Sequence, residues 1–255
     1  MDVLDELARR AQATVQRGYY LDLGAKEMPR SPPLRRAVLA KPRAVLAELK
    51  PASPSEGKLR PADAEASLGV ARALVAAGAR GLSVLTEPEV FHGSLQLLQG
   101  ASRLGTPTLM KDFVLAEAQL AAAQRCGASG VLLIAALATR GYTEAPLPEM
   151  VRRAHARGLE VLLEVASAAE FRQAQATEAD LIGINNRDLG TLEVDLGRTA
   201  RVLAQVRKDR PVVGLSGVQA RADADALFAA GCDAVLVGTS LMKAADPGKA
   251  LEALL

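Results

Sequence analysis

Charged side chains close several apolar segments of this sequence, and their types suit proton transfer. Glu48 and Lys50 lie two residues apart in the first such segment, so in a strand both side chains would point to the same face. Lys111 follows Thr-Leu-Met and Glu164 follows Val-Leu-Leu, so each places one charge at the end of a segment. Two carboxylates and two amines can supply general acids and general bases. An ordinary salt bridge is the alternative interpretation of each residue.

Small residues follow two later apolar segments, at places where a barrel enzyme can bind phosphate. Ser216-Gly217 follows one segment, and Gly238-Thr239 follows the next. Backbone N–H groups of such loops, together with a helix N-terminus, hold phosphate in barrel enzymes. The two loops together predict a phosphate site, whereas either alone would indicate little. The Asn-Asn-Arg-Asp sequence at 185–188 fits two interpretations equally well, a functional loop and a turn stabilised by side-chain hydrogen bonds.

Eight short segments rich in Val, Ile and Leu must position these polar residues. The segments end at Lys50, Thr86, Lys111, Ala135, Glu164, Asn185, Ser216 and Gly238. Nearly continuous apolar segments indicate strands buried on both faces, and the Ala-rich amphipathic segments between them predict crossover helices. No Gly-x-Gly-x-x-Gly follows the first strand, which favours a closed (β/α)8 TIM barrel over a dinucleotide-binding sheet. Because active sites of such barrels lie at the carboxyl ends of the strands, the polar residues are expected to meet there.

We expect one barrel domain over residues 45–255. Residues 1–44 form an N-terminal helical extension in this interpretation, packed on the bottom or rim of the barrel. Gly78, Gly127 and Gly231 each close a predicted helix before a strand, which is typical of a left-handed helix stop. No second domain or linker is indicated.

Composition and charge exclude several other classes of function. The 31 Lys and Arg residues against 29 Asp and Glu residues are spread along the chain, so we expect no nucleic-acid partner. Cys126 and Cys232 are interpreted as buried small residues, and His92 and His155 are too isolated for a zinc site, so no metal is predicted. The longest uncharged stretch, 126–139, is shorter than the ~18 apolar residues of a membrane helix. A cytoplasmic protein without a membrane partner is expected.

In their order along the chain, these motifs resemble the indole-3-glycerol-phosphate synthase family over nearly the whole sequence from about residue 47. The pieces are Ala-Glu-Leu-Lys (47–50), Ser-Pro-Ser-Glu-Gly (53–57), Ser-Val-Leu-Thr-Glu (83–87), Phe-His-Gly-Ser (91–94), Leu-Met-Lys-Asp-Phe (109–113), Leu-Glu-Val (163–165), Gly-Ile-Asn-Asn-Arg-Asp-Leu (183–189), Ser-Gly-Val (216–218) and Val-Gly-Thr-Ser-Leu-Met (237–242). Any single piece is weak evidence, but the ordered set is specific.

The resemblance implies a barrel enzyme of tryptophan biosynthesis that closes the ring of 1-(o-carboxyphenylamino)-1-deoxyribulose 5-phosphate, with loss of carbon dioxide and then water. It implies no cofactor, because ring closure leaves a cationic iminium beside the carboxylated carbon, and this iminium accepts the electrons released by decarboxylation. The partner is then a small phosphorylated substrate. We expect a monomer, at most loosely associated with other enzymes of the pathway.

The resemblance also implies roles for individual residues. Lys111 is similar in position to the catalytic lysine that acts as the acid in ring closure. Glu164 and Glu48 are candidates for the proton transfers of dehydration, and Lys50 either binds the substrate carboxylate or shares those transfers. The remaining implied site residues are Asn185 and Ser216 for orienting the substrate, Arg187 for its anionic end or a closing loop, Ser53 in a mobile lid over 53–57, Gly217, Gly238 and Thr239 for phosphate, and Phe91 and Phe113 for the anthranilate ring.

The sequence departs from the family pattern at Leu215, where Glu is usual, and this change is expected to alter local hydrogen bonding and substrate affinity. Thr239 stands where Ser is common and keeps the hydroxyl. Other functions remain open from the residues alone. A phosphoribosyl isomerase would need only one acid and one base, an aldolase could use Lys111 as a Schiff base, and a non-catalytic binder of a phosphorylated metabolite would have no need of paired acids and bases.

Overall fold

The computed structural model describes residues 2–21, 28–54, 56–60 and 63–255, and within them eight parallel strands form a closed barrel. The barrel strands are β1 (Ala44–Leu49), β4 (Gly81–Leu85), β5 (Thr108–Lys111), β6 (Gly130–Ile134), β7 (Glu160–Val165), β8 (Leu181–Asn185), β9 (Val212–Leu215) and β10 (Ala234–Val237). They follow one another in chain order around the barrel, and β10 closes onto β1. Two short strands, β2 (Ala52–Ser53) and β3 (Gly57–Lys58), form an antiparallel hairpin after β1. The prediction of a (β/α)8 TIM barrel is confirmed.

Helices connect the strands and surround the barrel. The helices are α1 (Val3–Gln16), α2 (Leu34–Leu39), α3 (Ala64–Ala76), α4 (Leu95–Ser102), α5 (Glu117–Arg125), α6 (Ala135–Thr139), α7 (Leu147–Ala156), α8 (Ala168–Gln175), α9 (Gly197–Leu203), α10 (Arg221–Ala229), α11 (Thr239–Lys243) and α12 (Pro247–Glu252). Several begin at a side-chain cap, such as Ser94 before α4 and Ser167 before α8. The predicted helix stops have φ values of +103° at Gly78 and +110° at Gly231.

The strands are apolar throughout because both of their faces are buried. Leu46, Leu109 and Leu132 belong to a cluster inside the barrel, whereas Val45 and Val131 belong to a second cluster between the strands and the helices. Alternate residues of one strand therefore serve different cores. Burying an unpaired charge in the packed interior costs free energy, so inward-facing charged residues lie where the strands end.

The N-terminal segment contacts both ends of the barrel. Helix α1 places Leu4 and Leu7 in the same cluster as Phe113 and Ile134, which lie at the carboxyl ends of β5 and β6. Arg140 ties this helix to the loop after α6 through ion pairs of 2.7 and 2.8 Å with two aspartates near its start. The extension thus reaches the rim of the barrel, and residues 1 and 22–27 of it lie outside the described residues.

The opposite end of the barrel is closed by α2. Leu34 and Val38 of this helix pack against Ala44 at the start of β1. The backbone N–H groups of Leu34 and Arg35 donate to the carboxylate of Glu160, the first residue of β7. The carboxyl ends of the strands therefore form the accessible mouth.

Among the described helices, none has both the length and the apolar character required to cross a membrane.

Candidate active site

A cavity of about 390 Å³ opens at the carboxyl ends of the barrel strands. It is lined by every site residue named from the sequence, namely Glu48, Lys50, Ser53, Phe91, Lys111, Phe113, Glu164, Asn185, Arg187, Ser216, Gly217, Gly238 and Thr239. These residues are spread over nearly the whole chain, and the parallel strands bring them together because every strand ends at the same rim.

Glu48 and Lys50 form an ion pair on one wall of the cavity. They lie at the end of β1 with their side chains on the same face, and Lys50 Nζ is 3.1 Å from Glu48 Oε1. Glu48 is buried, and its Oε2 atom has no hydrogen-bond partner in the described part of the chain. Burial raises the pKa of Glu48, but the charges of Lys50 and Lys111 outweigh it and hold the pKa below its usual range. Glu48 is therefore an ionised carboxylate with one oxygen free to accept a proton.

Gly238 leaves the space in which Glu48 lies. A Cβ atom at position 238 would stand 2.4 Å from Oε1 of Glu48 and 3.0 Å from its Cβ atom. The backbone φ of Gly238 is −126°, so the requirement for glycine is one of space rather than of left-handed conformation. Gly238 was expected only as part of a phosphate loop, and its contact with a carboxylate on β1 is a feature of the closed barrel.

Glu164 and Asn185 form a second polar pair on adjacent strands. Glu164 is on β7 and Asn185 ends β8, and the Asn185 side-chain amide donates to Glu164 Oε1 at 2.7 Å. The other carboxylate oxygen, Oε2, is buried and has no partner within the ranges that the structure describes. Burial raises the pKa of Glu164 above its usual range, although the charge of Lys111 and the hydrogen bond from Asn185 oppose that rise. Glu164 thus holds a proton more readily than Glu48 does.

Lys111 lies near both carboxylates from its place at the end of β5. Its positive charge lowers the pKa of Glu48 as well as that of Glu164. The cavity therefore contains an amine near two buried carboxylates, one with a lowered pKa and one with a raised pKa. Such an arrangement suits sequential proton transfers on one bound molecule.

The two glycine-containing loops lie side by side after β9 and β10. Ser216 and Gly217 have φ values of +62° and +94°, so the backbone turns sharply as it leaves β9. A Cβ atom at Gly217 would lie 2.7 Å from Leu196, so this position has neither the backbone conformation nor the space for a larger residue. Thr239 begins α11 directly after Gly238. The Ser240 hydroxyl connects the loops by donating to the backbone oxygen of Val218 at 3.0 Å.

The β2–β3 hairpin borders the cavity beside these loops, where a lid was expected. The Ser53 hydroxyl is buried and has no hydrogen-bond partner among the described residues, from which Ser55 of the predicted lid is absent. Glu56 of the hairpin forms an ion pair with Lys243 at the end of α11, and both residues line the cavity. Sequence reasoning missed this pair, since two solvated charges so far apart in the chain carry no local signal.

Arg187 completes the polar rim from the loop after β8. Its backbone N–H donates to Asn185 Oδ1 at 2.9 Å, and its guanidinium donates to the backbone oxygen of Leu192 at 2.8 Å. Its charge contributes to the lowered pKa values of Glu48 and Glu56. The loop thus adds a positive charge to the same end of the cavity.

Aromatic and aliphatic side chains form the opposite wall. The rings of Phe91 and Phe113 lie 6.0 Å apart at an interplanar angle of 49°. Leu7, Ile134 and Leu189 also line the cavity. The amphipathic pattern of the first residues predicts a helix, but it carries no information that Leu7 would reach the mouth of a barrel. This wall suits a flat apolar group.

Leu215 provides an apolar side chain where the family pattern led us to expect an altered hydrogen-bond arrangement. It is buried and lines the cavity, next to Asn185 on the neighbouring strand. A Cβ atom at Gly183 would lie 2.7 Å from Leu215 Cδ1, so the leucine fills the space above that glycine. The backbone oxygen of Leu215 still accepts hydrogen bonds from Asn186.

The fold and this cavity define a (β/α)8-barrel enzyme whose site is equipped for acid–base chemistry. The sequence model of the family described as "Indole-3-glycerol phosphate synthase" matches residues 7–254. The chain belongs to the indole-3-glycerol phosphate synthase family.

Curated relatives from distant organisms carry the same description. The protein of Methanopyrus kandleri is 38% identical over 99% of this chain and 96% of its own length. The protein of Burkholderia vietnamiensis is 40% identical over 97% of this chain and 93% of its own length. Indole-3-glycerol phosphate synthase 2 of Streptomyces coelicolor is 43% identical over 88% of this chain and 86% of its own length.

Solved structures of low sequence identity share the fold alone. A 3-hexulose-6-phosphate synthase superposes with a TM-score of 0.64 at 16% identity, covering 83% of this chain and 97% of that protein. Thiamine phosphate pyrophosphorylase from Pyrococcus furiosus superposes with a TM-score of 0.59 at 19% identity, covering 87% of this chain and 95% of that protein.

Proposed function

We propose that this enzyme converts 1-(o-carboxyphenylamino)-1-deoxyribulose 5-phosphate into indole-3-glycerol phosphate, carbon dioxide and water without a cofactor. Membership of the family supports the reaction, and the arrangement of the cavity supports its mechanism. The substrate has an aromatic acid at one end and a phosphate at the other. The cavity has a matching polarity, with the Phe91 and Phe113 rings on one wall and the glycine-containing loops on the other.

Phosphate binding is assigned to the loops after β9 and β10. We assign the backbone of Gly217, Gly238 and Thr239 to the phosphate oxygens, because such loops offer backbone N–H groups and the start of a helix to an anion. Arg187 and the unpartnered Ser53 hydroxyl stand at the same rim and supply further donors. Fixing both ends of a flexible sugar chain holds the ketone against the aromatic ring, which lowers the entropic cost of ring closure.

Lys111 is assigned as the acid of ring closure. As the aromatic carbon attacks the ketone, negative charge develops on the ketone oxygen, and the Lys111 ammonium group donates a proton to it. The new carbon–carbon bond leaves an iminium cation beside the carboxylated carbon. The electron pair of the breaking carbon–carboxylate bond moves into this cation, so carbon dioxide leaves and the ring regains its aromatic character. Asn185 and Ser216 are assigned to orienting the sugar hydroxyls.

Glu164 and Glu48 are assigned to the final dehydration with different roles. Glu164, with its raised pKa, donates the proton that lets the hydroxyl leave as water. Glu48, with its lowered pKa and a free oxygen, accepts the proton lost from the adjacent carbon. Lys50 keeps Glu48 ionised through an ion pair of 3.1 Å and is also assigned to binding the substrate carboxylate. One observation carries the assignment: two buried glutamates line the same cavity as Lys111, and each has one carboxylate oxygen without a partner among the described residues.

Turnover of the carboxyphenylamino substrate tests the proposed reaction, with indole fluorescence as the signal. We expect Lys111→Met and Glu164→Gln each to lower kcat by on the order of 10²-fold or more, as loss of a general acid or base does. Lys41→Met and Glu178→Gln are matched controls at exposed positions away from the cavity, and both should retain the activity of the parent enzyme. Absence of turnover in the parent would refute the reaction, and full activity of either site variant would refute that residue's role.

The remaining sequence-based expectations belong to the same proposal. We expect a cytoplasmic monomer that binds a small phosphorylated substrate and no nucleic acid. Light scattering of the purified protein at working concentration tests this expectation, and a mass twice that of one chain would contradict it.

A further inference from the structure

Asp112, the residue after Lys111, is buried on the side of the strand opposite the cavity. Successive residues of a strand point to opposite faces, so Lys111 faces the cavity while Asp112 faces the layer between the strands and the helices. Tyr20 is buried in that layer. The Asp112 carboxylate accepts hydrogen bonds from the Tyr20 hydroxyl at 2.8 Å, the Thr86 hydroxyl at 2.5 Å and the Phe113 backbone N–H at 2.8 Å.

No cation compensates the Asp112 carboxylate within the parts of the chain that the structure describes. Its hydrogen-bond donors are two hydroxyls and one backbone N–H group, and no ion pair involves it. Burial, together with the charge of Glu87, raises the pKa of Asp112 to about 6, although the hydrogen bonds from Thr86 and Tyr20 oppose that rise. A carboxylate held in this way costs stability. Two hydroxyls and one backbone N–H group engage this buried carboxylate, so its role is to position the segments to which those donors belong.

The hydrogen bonds of Thr86 hold Lys111 and the residue that follows it. The Thr86 backbone N–H donates to the backbone oxygen of Lys111 at 3.2 Å, and its hydroxyl donates to Asp112. Asp112 in turn holds the N–H of Phe113, whose ring lines the cavity. The same hydrogen-bond network therefore positions the lysine and one aromatic residue of the cavity wall.

Tyr20 connects the N-terminal segment to this hydrogen-bond network. Arg125 of α5 donates to the backbone oxygen of Tyr20 at 2.7 Å, which anchors the residue against the barrel. The neighbouring Tyr19 packs edge to face on the Tyr20 ring, and its hydroxyl donates to the backbone oxygen of Thr86 at 3.3 Å. Burial and the Asp112 charge raise the pKa of Tyr20 well above its usual range, so its hydroxyl remains a donor at all working pH values.

We propose that Tyr20, Thr86 and Asp112 are positioning residues that fix the backbone of Lys111 from outside the barrel, so that the N-terminal segment sets the place of the lysine ammonium group in the cavity. This inference rests on the proposed function of Lys111. It assigns no contact with substrate to the three residues, and it predicts an effect on the chemical step rather than on binding.

Tyr20→Phe is the direct test, because it removes one hydroxyl and leaves the ring that packs in the layer. A displacement of about 1 Å at a reacting group lowers the rate by on the order of 10²-fold, and loss of one of several hydrogen bonds should cause a fraction of that displacement. We expect kcat to fall by roughly 5- to 20-fold with KM within about twofold of the parent value. Tyr142→Phe is the matched control: its hydroxyl also ties the N-terminal segment to the barrel, by donating to Asp5 at 3.1 Å, but it lies apart from Lys111. This control should keep the parent kcat.

A double-mutant cycle separates positioning of Lys111 from general damage to the fold. In a Lys111→Met background, Tyr20→Phe should cause no further loss of the residual rate, because the residue through which it acts is absent. Thr86→Ser and Thr86→Val form a second pair: the serine keeps the hydroxyl and should retain most activity, whereas the valine should lose kcat as Tyr20→Phe does. This pair of variants still tests the positioning role if Tyr20→Phe does not fold.

The outcomes distinguish this inference from the function on which it rests. If Lys111→Met is nearly inactive while Tyr20→Phe and Thr86→Val both keep the parent kcat, the positioning role is refuted and the role of Lys111 stands. An equal further loss in the Lys111→Met background, or a loss confined to KM, also refutes positioning. Full activity of Lys111→Met refutes the proposed acid, and the inference fails with it.

Discussion

Gly238→Ala is a small substitution that should disable the site through the space it takes from Glu48. The added Cβ atom would stand 2.4 Å from Glu48 Oε1, and ordinary van der Waals contact begins at about 3.4 Å. The carboxylate must therefore retreat by about 1 Å. This is the oxygen that pairs with Lys50 at 3.1 Å, so the retreat disturbs the ion pair and moves the proposed proton acceptor.

The expected loss follows from this displacement. A shift of 1 Å at a reacting group costs on the order of 10²-fold in rate, which corresponds to roughly 2.7 kcal/mol of transition-state stabilisation. Overpacking should also lower the free energy of unfolding by about 1–3 kcal/mol. Steady-state kinetics followed by indole fluorescence gives the first quantity, and urea unfolding of the same sample gives the second.

A double-mutant cycle with Glu48→Gln shows whether the loss acts through this carboxylate. Because that variant already lacks the acceptor, adding Gly238→Ala should lower kcat by far less than it does in the parent enzyme. Parent-like kcat in Gly238→Ala would refute the steric reasoning. Fully additive losses would place the effect elsewhere, in the phosphate loop itself.

Three further outcomes are expected. Gly69→Ala, at an exposed position inside α3 with no atom within 4 Å of the new Cβ, should raise the free energy of unfolding by about 0.5–1 kcal/mol in urea titrations and leave kinetics unchanged. Asp112 has its folded pKa raised from 3.8 to about 6, so its stabilising contribution is complete below pH 4 and is lost as pH rises through 6. Between pH 4 and 7 the unfolding free energy of the parent should therefore fall by about 2 kcal/mol relative to Asp112→Asn, and parallel pH curves would contradict this. Lys50→Ala should raise KM or slow dehydration, and unchanged steady-state kinetics would argue against its assignment.

Much of the barrel could be predicted because its signals are local. The segments ending at Lys111 and Glu164 are apolar over strand length, and the amphipathic segments between strands have helical periodicity. Once the strands are parallel, their carboxyl ends must share one rim, so strand-end polar residues such as Asn185 converge without any knowledge of contacts. The glycine at 231 likewise marks its helix end through its own backbone conformation.

Contacts between distant parts of the chain lie beyond that reasoning. The pattern of α1 predicts a helix, but only the packed structure places Leu7 in the cavity. The charges of Glu56 and Lys243 resemble any other surface charges until the hairpin meets α11. Tyr20 has no sequence feature that links it to a carboxylate 92 positions away.

The sequence by itself determined the order of strands and helices and the kinds of side chain at the mouth, because these depend on periodicity and chain direction. Tertiary structure alone decided how two residues of the same type differ. Glu48 and Glu164 are both buried glutamates at strand ends, yet the Lys50 charge holds one pKa down while burial raises the other. A pKa depends on the charges and solvent within a few ångströms, and folding alone determines those neighbours.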